Sequence, residues 1–361
     1  MSTCTNYTPT WISSPGETIS DILIERKISI DELKNLLDMS EFKITQLITG
    51  KLLINEYIAE RLSNVLGASQ SFWLERDKQY REALQHINIE LDSAQNSWLE
   101  NLPTRDMQKL EWLPKTIYKF QKFLYCLDFF GVQSISEWEL KYKNFHSSVA
   151  FKSSQSFSST QGSLDVWIRQ GEIASKNIKC ALWNKDAFIS LLPEIRLLTR
   201  KKSPSDFLPK IQEICATCGV AVVIVKAPNG CRASGATKFI AKNKAMIILS
   251  FRHLSDDHFW FTFFHEMGHL ILHDSNLIFI DDDSLNINSL LEDEANEFAQ
   301  NTLVPREYEE ELYRISNNGK EILYFARRIG IAPGIVVGQL QKKSIIPYNH
   351  LNNLKTKFKW S

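Results

Sequence analysis

The stretch His265-Glu266-Met267-Gly268-His269 is the part of the sequence best equipped for chemistry. Two imidazoles four residues apart fall on one helix face, one turn from each other, and can share a zinc ion. Glu266 is rotated by about 100° from His265 in an ideal helix, so it stands beside the metal instead of ligating it. From there its carboxylate can take a proton from water that the metal has acidified. Gly268 lets another backbone approach the helix closely. A third ligand is needed. His273 continues the i+4 series, but three successive turns drift by about 80° in total. That suits one ion poorly and predicts a supporting role. Glu292-Asp293-Glu294-Ala295-Asn296 offers a carboxylate from a second helix. Glu292 and Asn296 share a face, which favours Glu292 as ligand, with Asn296 accepting the free N–H of a ligating His. Glu294 is the alternative. Candidates for stabilising charge on a reacting carbonyl are His253, His258 and Arg252, each of which also reads as structural or solvated.

These side chains need rigid elements. A strongly apolar helix is predicted over Asp256–His273, capped by Ser255 or Asp256, and a second from about Leu290 to Thr302, stopped before Pro305. Between them lies a loop with Asp281-Asp282-Asp283. Upstream, residues 207–218 read as a helix ending at Gly219. Residues 220–225, 232–240 and 245–250 then read as strands, with a turn at Pro228-Asn229-Gly230. Short turns between them favour an antiparallel meander.

The N-terminal part has a different texture. Residues 1–16 are a polar tail. Five short helices follow in 17–87: from Glu17 to Lys27, after Ser29, after Ser40, over Asn55–Leu66, and from Ser69 towards Leu84, with Gly50 and Gly67 as stops. Residues 88–104 read as a linker. Residues 105–202 form a helical middle domain whose aromatics read as core, with a Ser-rich loop at 146–163. Residues 203–361 carry the metal motif. The fold class is α+β, mainly α: a five-helix bundle containing a helix-turn-helix, a helical middle, and a zincin-like domain with a small antiparallel sheet and an HExxH helix.

Composition narrows the function classes. The chain of 361 residues holds 42 Lys+Arg and 42 Asp+Glu, and 43% of it is hydrophobic. This excludes a mostly disordered chain. No apolar run reaches the roughly 18 residues a membrane span requires. The first residues have neither the basic nor the apolar region of a secretion signal, and six Cys make no disulfide framework. A cytoplasmic address is expected. Charge is uneven: residues 17–84 hold nine Lys/Arg against twelve Asp/Glu, whereas 105–202 hold sixteen against nine. Cys215 and Cys218 form a lone CxxC and read as buried small hydrophobes. Arg196, Arg200, Lys201 and Lys202 read as a solvated helix end.

Two resemblances complete the reading. FWFTFFHEMGHLILH, followed by EDEANEFAQNTLVP, resembles the ImmA/IrrE family of zinc metallopeptidases over about residues 205–345. That resemblance implies His265, His269 and Glu292 as zinc ligands and Glu266 as the catalytic acid/base. It also implies that the strand Ala245–Ser250 is the sheet edge that pairs with an extended substrate, and that the substrate is a protein: a repressor, a toxin or the chain itself. The block from Ile48 to Leu84 is similar to the HigA-like branch of the Xre helix-turn-helix family, whose members bind operator DNA as dimers. It implies a recognition helix after Ser40, with Lys43, Thr45, Gln46, Thr49 and Lys51 towards DNA; Gln46 is suited to reading adenine and the lysines to phosphate. The acidic balance of this bundle and Glu41 at the start of that helix weigh against DNA. A bacterial regulator joining a DNA-binding bundle to a zinc endopeptidase is therefore expected. The rivals are a non-catalytic antitoxin-like regulator with a structural metal site and an anti-phage or toxin–antitoxin effector whose bundle binds protein.

Overall fold

The computed structural model describes residues 13–86, 91–116, 118–148, 159–273, 279–281, 289–315 and 318–359. The chain divides into two compact units. One comprises Met1–Leu99 with Leu113–Ile135, the other Glu100–Trp112 with Ser136–Ser361.

The first unit begins with five helices: α1 (Pro15–Arg26), α2 (Ile30–Leu37), α3 (Glu41–Ile48), α4 (Glu56–Leu66) and α5 (Gln70–His86). Their starts are written locally. The Ser14, Ser29, Ser40 and Asn55 side chains each accept a backbone N–H from the first helical turn, and Ser29 with Glu32 closes a reciprocal capping box. Ile19, Leu33, Leu37, Ile44, Leu47, Leu62 and Trp73 fill the centre. A buried pair, Arg81 to Asp77 at 2.8 Å, fixes α5, and Arg81 also donates to the Leu52 carbonyl. The segment expected to be a linker contains α6 (Ser93–Glu100). Asp92 and Gln95 cap it reciprocally, and its Trp98 lies edge-on to Phe123 of a later helix in the same unit. Burial of that indole outweighs the polar composition around it.

The remaining helices are α7 (Thr104–Lys109), α8 (Lys119–Phe130), α9 (Ile135–Ser148), α10 (Ser159–Lys176), α11 (Lys185–Ser190), α12 (Leu192–Leu198), α13 (Pro204–Ala216), α14 (Asp256–Leu272), α15 (Ser289–Leu303), α16 (Glu309–Arg314), α17 (Gly319–Ile329) and α18 (Pro333–Lys342). Helix α8 belongs to the first unit. Residues 159–163 of the expected Ser-rich loop form the start of α10, and 146–148 end α9; 149–158 lie outside the described residues.

The second unit is built on a four-stranded sheet of β1 (Val220–Ile224), β2 (Gly235–Ala241), β3 (Lys244–Leu249) and β4 (Phe279–Asp281), in the order β1-β3-β2-β4. The expected antiparallel meander is corrected here. β2 pairs antiparallel with β3 and β4, but β1 runs parallel to β3, with Val222 opposite Ile247. β3 lies inside the sheet, so the strand Ala245–Ser250 is not an edge; the edges are β1 and β4, and Ile280 of β4 lines the cleft. Burial explains the pattern. Val220, Val222, Ala245, Ile247 and Leu249 join the core under α14. Met246 and Ile248 face α10, where a Cβ on Gly171 would lie 2.5 Å from Ile248. A sheet covered on both faces reads as unbroken apolar runs, and such runs carry no pairing direction. The Trp167 indole of α10 donates to the Val225 carbonyl at 2.8 Å, fixing the helix across the sheet.

Helix α14 is buried around almost its whole circumference, as expected of a central helix that is apolar on all sides. It packs on β2 and β3, on α15 and on α18. The last described segment straps its N-terminus. Thr356 exchanges backbone and side-chain hydrogen bonds with Asp256, Phe358 N–H donates to the Leu254 carbonyl, and Lys355 pairs with the buried Asp257 at 2.6 Å. No helix among the described residues is long and apolar enough to cross a membrane.

Candidate metal centre

The α14 and α15 helices bring three ligating groups together. His265 Nε2 lies 2.9 Å from His269 Nε2 and 3.1 Å from Glu292 Oε2, and His269 Nε2 lies 3.4 Å from Glu292 Oε1. One ligand atom from each residue falls within a single 4.8 Å cluster. Ligands about 2.1 Å from a tetrahedral zinc stand roughly 3.4 Å apart, so the spacing is within a few tenths of an ångström of what an ion requires.

The donor chemistry fits as well. His265 Nδ1 faces the Asn296 Oδ1 at 3.1 Å. An amide oxygen there accepts a hydrogen bond from Nδ1–H, which leaves the Nε2 lone pair directed at the cluster. Two imidazole lone pairs and a carboxylate converging on one point repel one another unless a cation lies between them. Burial drives His269 down to about 4, against the raising influence of Glu292. Burial also opposes the charged form of Glu292, but hydrogen bonds and charge from the two histidines outweigh it and hold the carboxyl down at about 2. A neutral imidazole and an ionised carboxylate are the forms that bind metal.

The depressed His269 has a testable consequence. Protons compete with a metal at a histidine from the imidazole pKa downward. An ordinary imidazole takes up its proton near pH 6.5, whereas burial holds that of His269 down to about 4. Histidine NMR of the metal-free chain is expected to find the His269 imidazole still neutral at about pH 5. A His269 titration centred near 6.5 would contradict the buried environment.

Glu266 is fully buried and lies outside the ligand cluster. Its place depends on the facing strand. A Cβ at Gly235 would lie 2.6 Å from both Glu266 Oε1 and Thr262 Cγ2, so only glycine leaves room for the carboxylate. Thr237, two residues along β2, donates its hydroxyl to the Glu266 carbonyl at 3.3 Å. Gly235→Ala is expected to cost about 1–3 kcal/mol by overpacking, or roughly 2–12 °C in melting temperature, because Glu266 must move. An unchanged melting temperature would show that the strand does not set its position. Gly268 serves a parallel purpose: a Cβ there would lie 3.1–3.3 Å from Phe298 and Ala295, so its absence permits the close approach of α15.

A cleft of about 450 Å³ opens beside the cluster. His265, Glu292 and Asn296 form its floor; Phe261, Ile280 and Ile335 supply apolar wall, and Gln300, Gln339 and Lys342 a polar one. His253 and His258 stack at 4.2 Å on its rim. Arg252 does not line this cleft; its guanidinium is turned to the Arg232 carbonyl. Glu294 is directed away from the ligand cluster to His273. Sequence reasoning missed Phe279, whose ring stacks on His269 at 4.0 Å, and Gly235. The small-residue run Ser234-Gly235-Ala236 was the only signal for the latter.

The N-terminal positions expected to face DNA separate into two groups. Lys43 on α3 and Thr49 at its C-cap are exposed, while Thr45 on α3 and Lys51 beyond it are half-buried. Gln46 is only 2% exposed. After Gly50 the chain folds back, Lys51 and Leu52 donate their N–H groups to the Gln46 carbonyl, and the side chain is enclosed. Gln46 therefore faces the bundle interior and not a base edge. The Thr45 and Thr49 hydroxyls bond helix carbonyls at 41 and 45.

Comparison with known proteins agrees with the second unit. Residues 223–340, about a third of the chain, match the model of a peptidase family described as the IrrE N-terminal-like domain. That span holds the HExxH helix, Glu292 and the cleft-lining helix α18. A search of curated proteins finds no match to the chain.

Proposed function

We propose that the chain is a zinc-dependent endopeptidase acting on another protein, with His265, His269 and Glu292 holding the metal. The observation that carries this reading is a two-histidine, one-carboxylate cluster of which His265 and Glu292 line an open cleft, with the buried carboxylate of Glu266 adjoining His265 on α14. Structural zinc sites enclose their ion with four protein ligands, whereas three ligands facing a cleft leave a position for reaction. When bound, zinc supplies Lewis acidity towards a scissile carbonyl and towards water. Glu266 accepts the proton of the attacking water and returns it to the leaving amine. His253 and His258, on the rim, are the side chains available to donate hydrogen bonds to the developing oxyanion. The apolar wall of Phe261, Ile280 and Ile335 receives substrate side chains, and the edge of β4 is the strand available for main-chain pairing.

Digestion of a peptide library by the zinc-loaded chain, read by mass spectrometry, tests this. New termini that disappear on chelation support it. A library left intact by protein with one zinc per chain would favour the rival, a regulator whose metal site only stabilises the fold.

A second reading concerns the bundle. Its α2–α3 pair has helix-turn-helix spacing, and the exposed Lys43 with the half-buried Lys51 favours phosphate contact as part of a regulator acting on operator DNA, as a dimer. The acidic balance and the enclosed Gln46 favour a protein partner, such as a repressor or toxin, in its place. Fluorescence anisotropy of a random duplex at low salt separates them: binding with a steep salt slope supports DNA, and none at low salt supports the protein partner.

A further inference from the structure

The structure contains a hydrogen-bonded chain that runs from the metal cluster to the protein surface. His269 Nδ1 lies 2.9 Å from His273 Nδ1, and His273 Nε2 lies 3.0 Å from Glu294 Oε2. The His273 side chain is 3% exposed and that of Glu294 is 60% exposed. Phe279 covers both rings, stacking on His269 at 4.0 Å and tilting over His273 at 5.0 Å, which keeps water from this face.

In a continuing helix His273 would stand one turn beyond His269, with its ring drifted by about 40° about the axis. The helix, however, ends at Leu272. His273 is its C-cap, with extended backbone angles of φ −112° and ψ 172°, while its N–H still bonds the His269 carbonyl. Leaving helical register turns the ring back onto His269.

We propose that His273 and Glu294 are positioning residues for zinc, acting through His269; this inference rests on the metal-centre reading above. The proton assignments follow in order. His269 binds metal through Nε2 only if that nitrogen carries a lone pair, so its proton is on Nδ1. Two Nδ1–H groups cannot face each other at 2.9 Å. His273 Nδ1 must then be the acceptor, its proton is on Nε2, and Glu294 accepts that proton's hydrogen bond. Each link fixes the tautomer of the next, and the terminal carboxylate makes the His269 nitrogen a better donor to metal. On the other ligand, Asn296 performs the corresponding task for His265 in one step. His273 is thereby excluded as a fourth ligand, since both of its ring nitrogens are engaged.

The test is zinc affinity of the full chain, measured by competition with a chromophoric chelator, on wild type and three variants. Glu294 is mostly exposed, so its substitution leaves folding intact, and melting of the metal-free proteins checks that. Glu294→Ala is expected to weaken zinc about 10-fold and His273→Phe about 10- to 100-fold. Glu294→Gln, whose carbonyl still accepts the His273 N–H, should fall between Glu294→Ala and wild type. Nitrogen NMR of the zinc-loaded, histidine-labelled protein should find His273 protonated on Nε2 alone. Wild-type affinity in both Glu294→Ala and His273→Phe would overturn the proposal, as would a proton on His273 Nδ1. If the wild type itself takes up no zinc, the metal-centre reading fails and this inference with it. Tight wild-type binding with unaffected variants sinks the positioning chain alone.

Discussion

Replacing Glu266 with Gln is expected to leave one zinc per chain in place and to lower peptide hydrolysis by about 10²- to 10⁴-fold, the contribution of a positioned general base. The two halves of this result depend on different features. Zinc is retained because Glu266 is outside the cluster formed by His265, His269 and Glu292. Hydrolysis is lost because an amide of nearly the same shape cannot accept the proton of water. The substitution is also gentle: the side chain is fully buried between α14 and β2, and Gln fills the space that Gly235 leaves open. Zinc content by elemental analysis and cleavage of any peptide found in the library digest provide the two readouts. Undiminished cleavage would remove Glu266 from the mechanism, and loss of zinc would make it a ligand. The inactive, metal-loaded variant would also serve to capture the substrate by retaining it in the cleft.

Much of this site is legible in the sequence because its information is local. HExxH places two rings on one face of a helix, and Glu292 with Asn296 repeats the same period on the next. Helix starts in the bundle are equally local, since Ser14, Ser29, Ser40 and Asn55 bond N–H groups within three residues. What escapes such a reading depends on distant partners. The apolar runs of β1 and β3 mark burial but not direction, so nothing local shows that β1 bypasses β2 to lie parallel to β3. Helical phase alone leaves Gln46 free, yet the return of the chain after Gly50 encloses it. The partner of His273 depends on the residue at which α14 stops. The ring reaches Glu294 from a cap with extended backbone angles, which the i+4 spacing alone does not specify.

Removal of the metal is the second large effect, and the double variant His265→Ala/His269→Ala is its cleanest form. Wild type is expected to bind one zinc per chain and the variant none, because a lone carboxylate from Glu292 cannot compete with water for the ion. The consequence for stability follows from where the ligands stand. His265 lies in the second half of the central helix, His269 in its last turn, and Glu292 in the first turn of α15. An ion between them therefore links two helices that pack closely at Gly268. A ligand present at about 1,000 times its Kd stabilises the folded form by about 4 kcal/mol. For a domain of about 150–250 residues that corresponds to roughly 8–16 °C in melting temperature. Calorimetry with and without chelator should show this shift in the wild type and no response in the variant. If zinc raises the melting temperature of both proteins equally, the ion is held elsewhere and the cluster beneath the cleft is not the centre. A shift confined to the wild type, together with the loss of cleavage in Glu266→Gln, would assign the metal and the proton transfer to separate residues of one site.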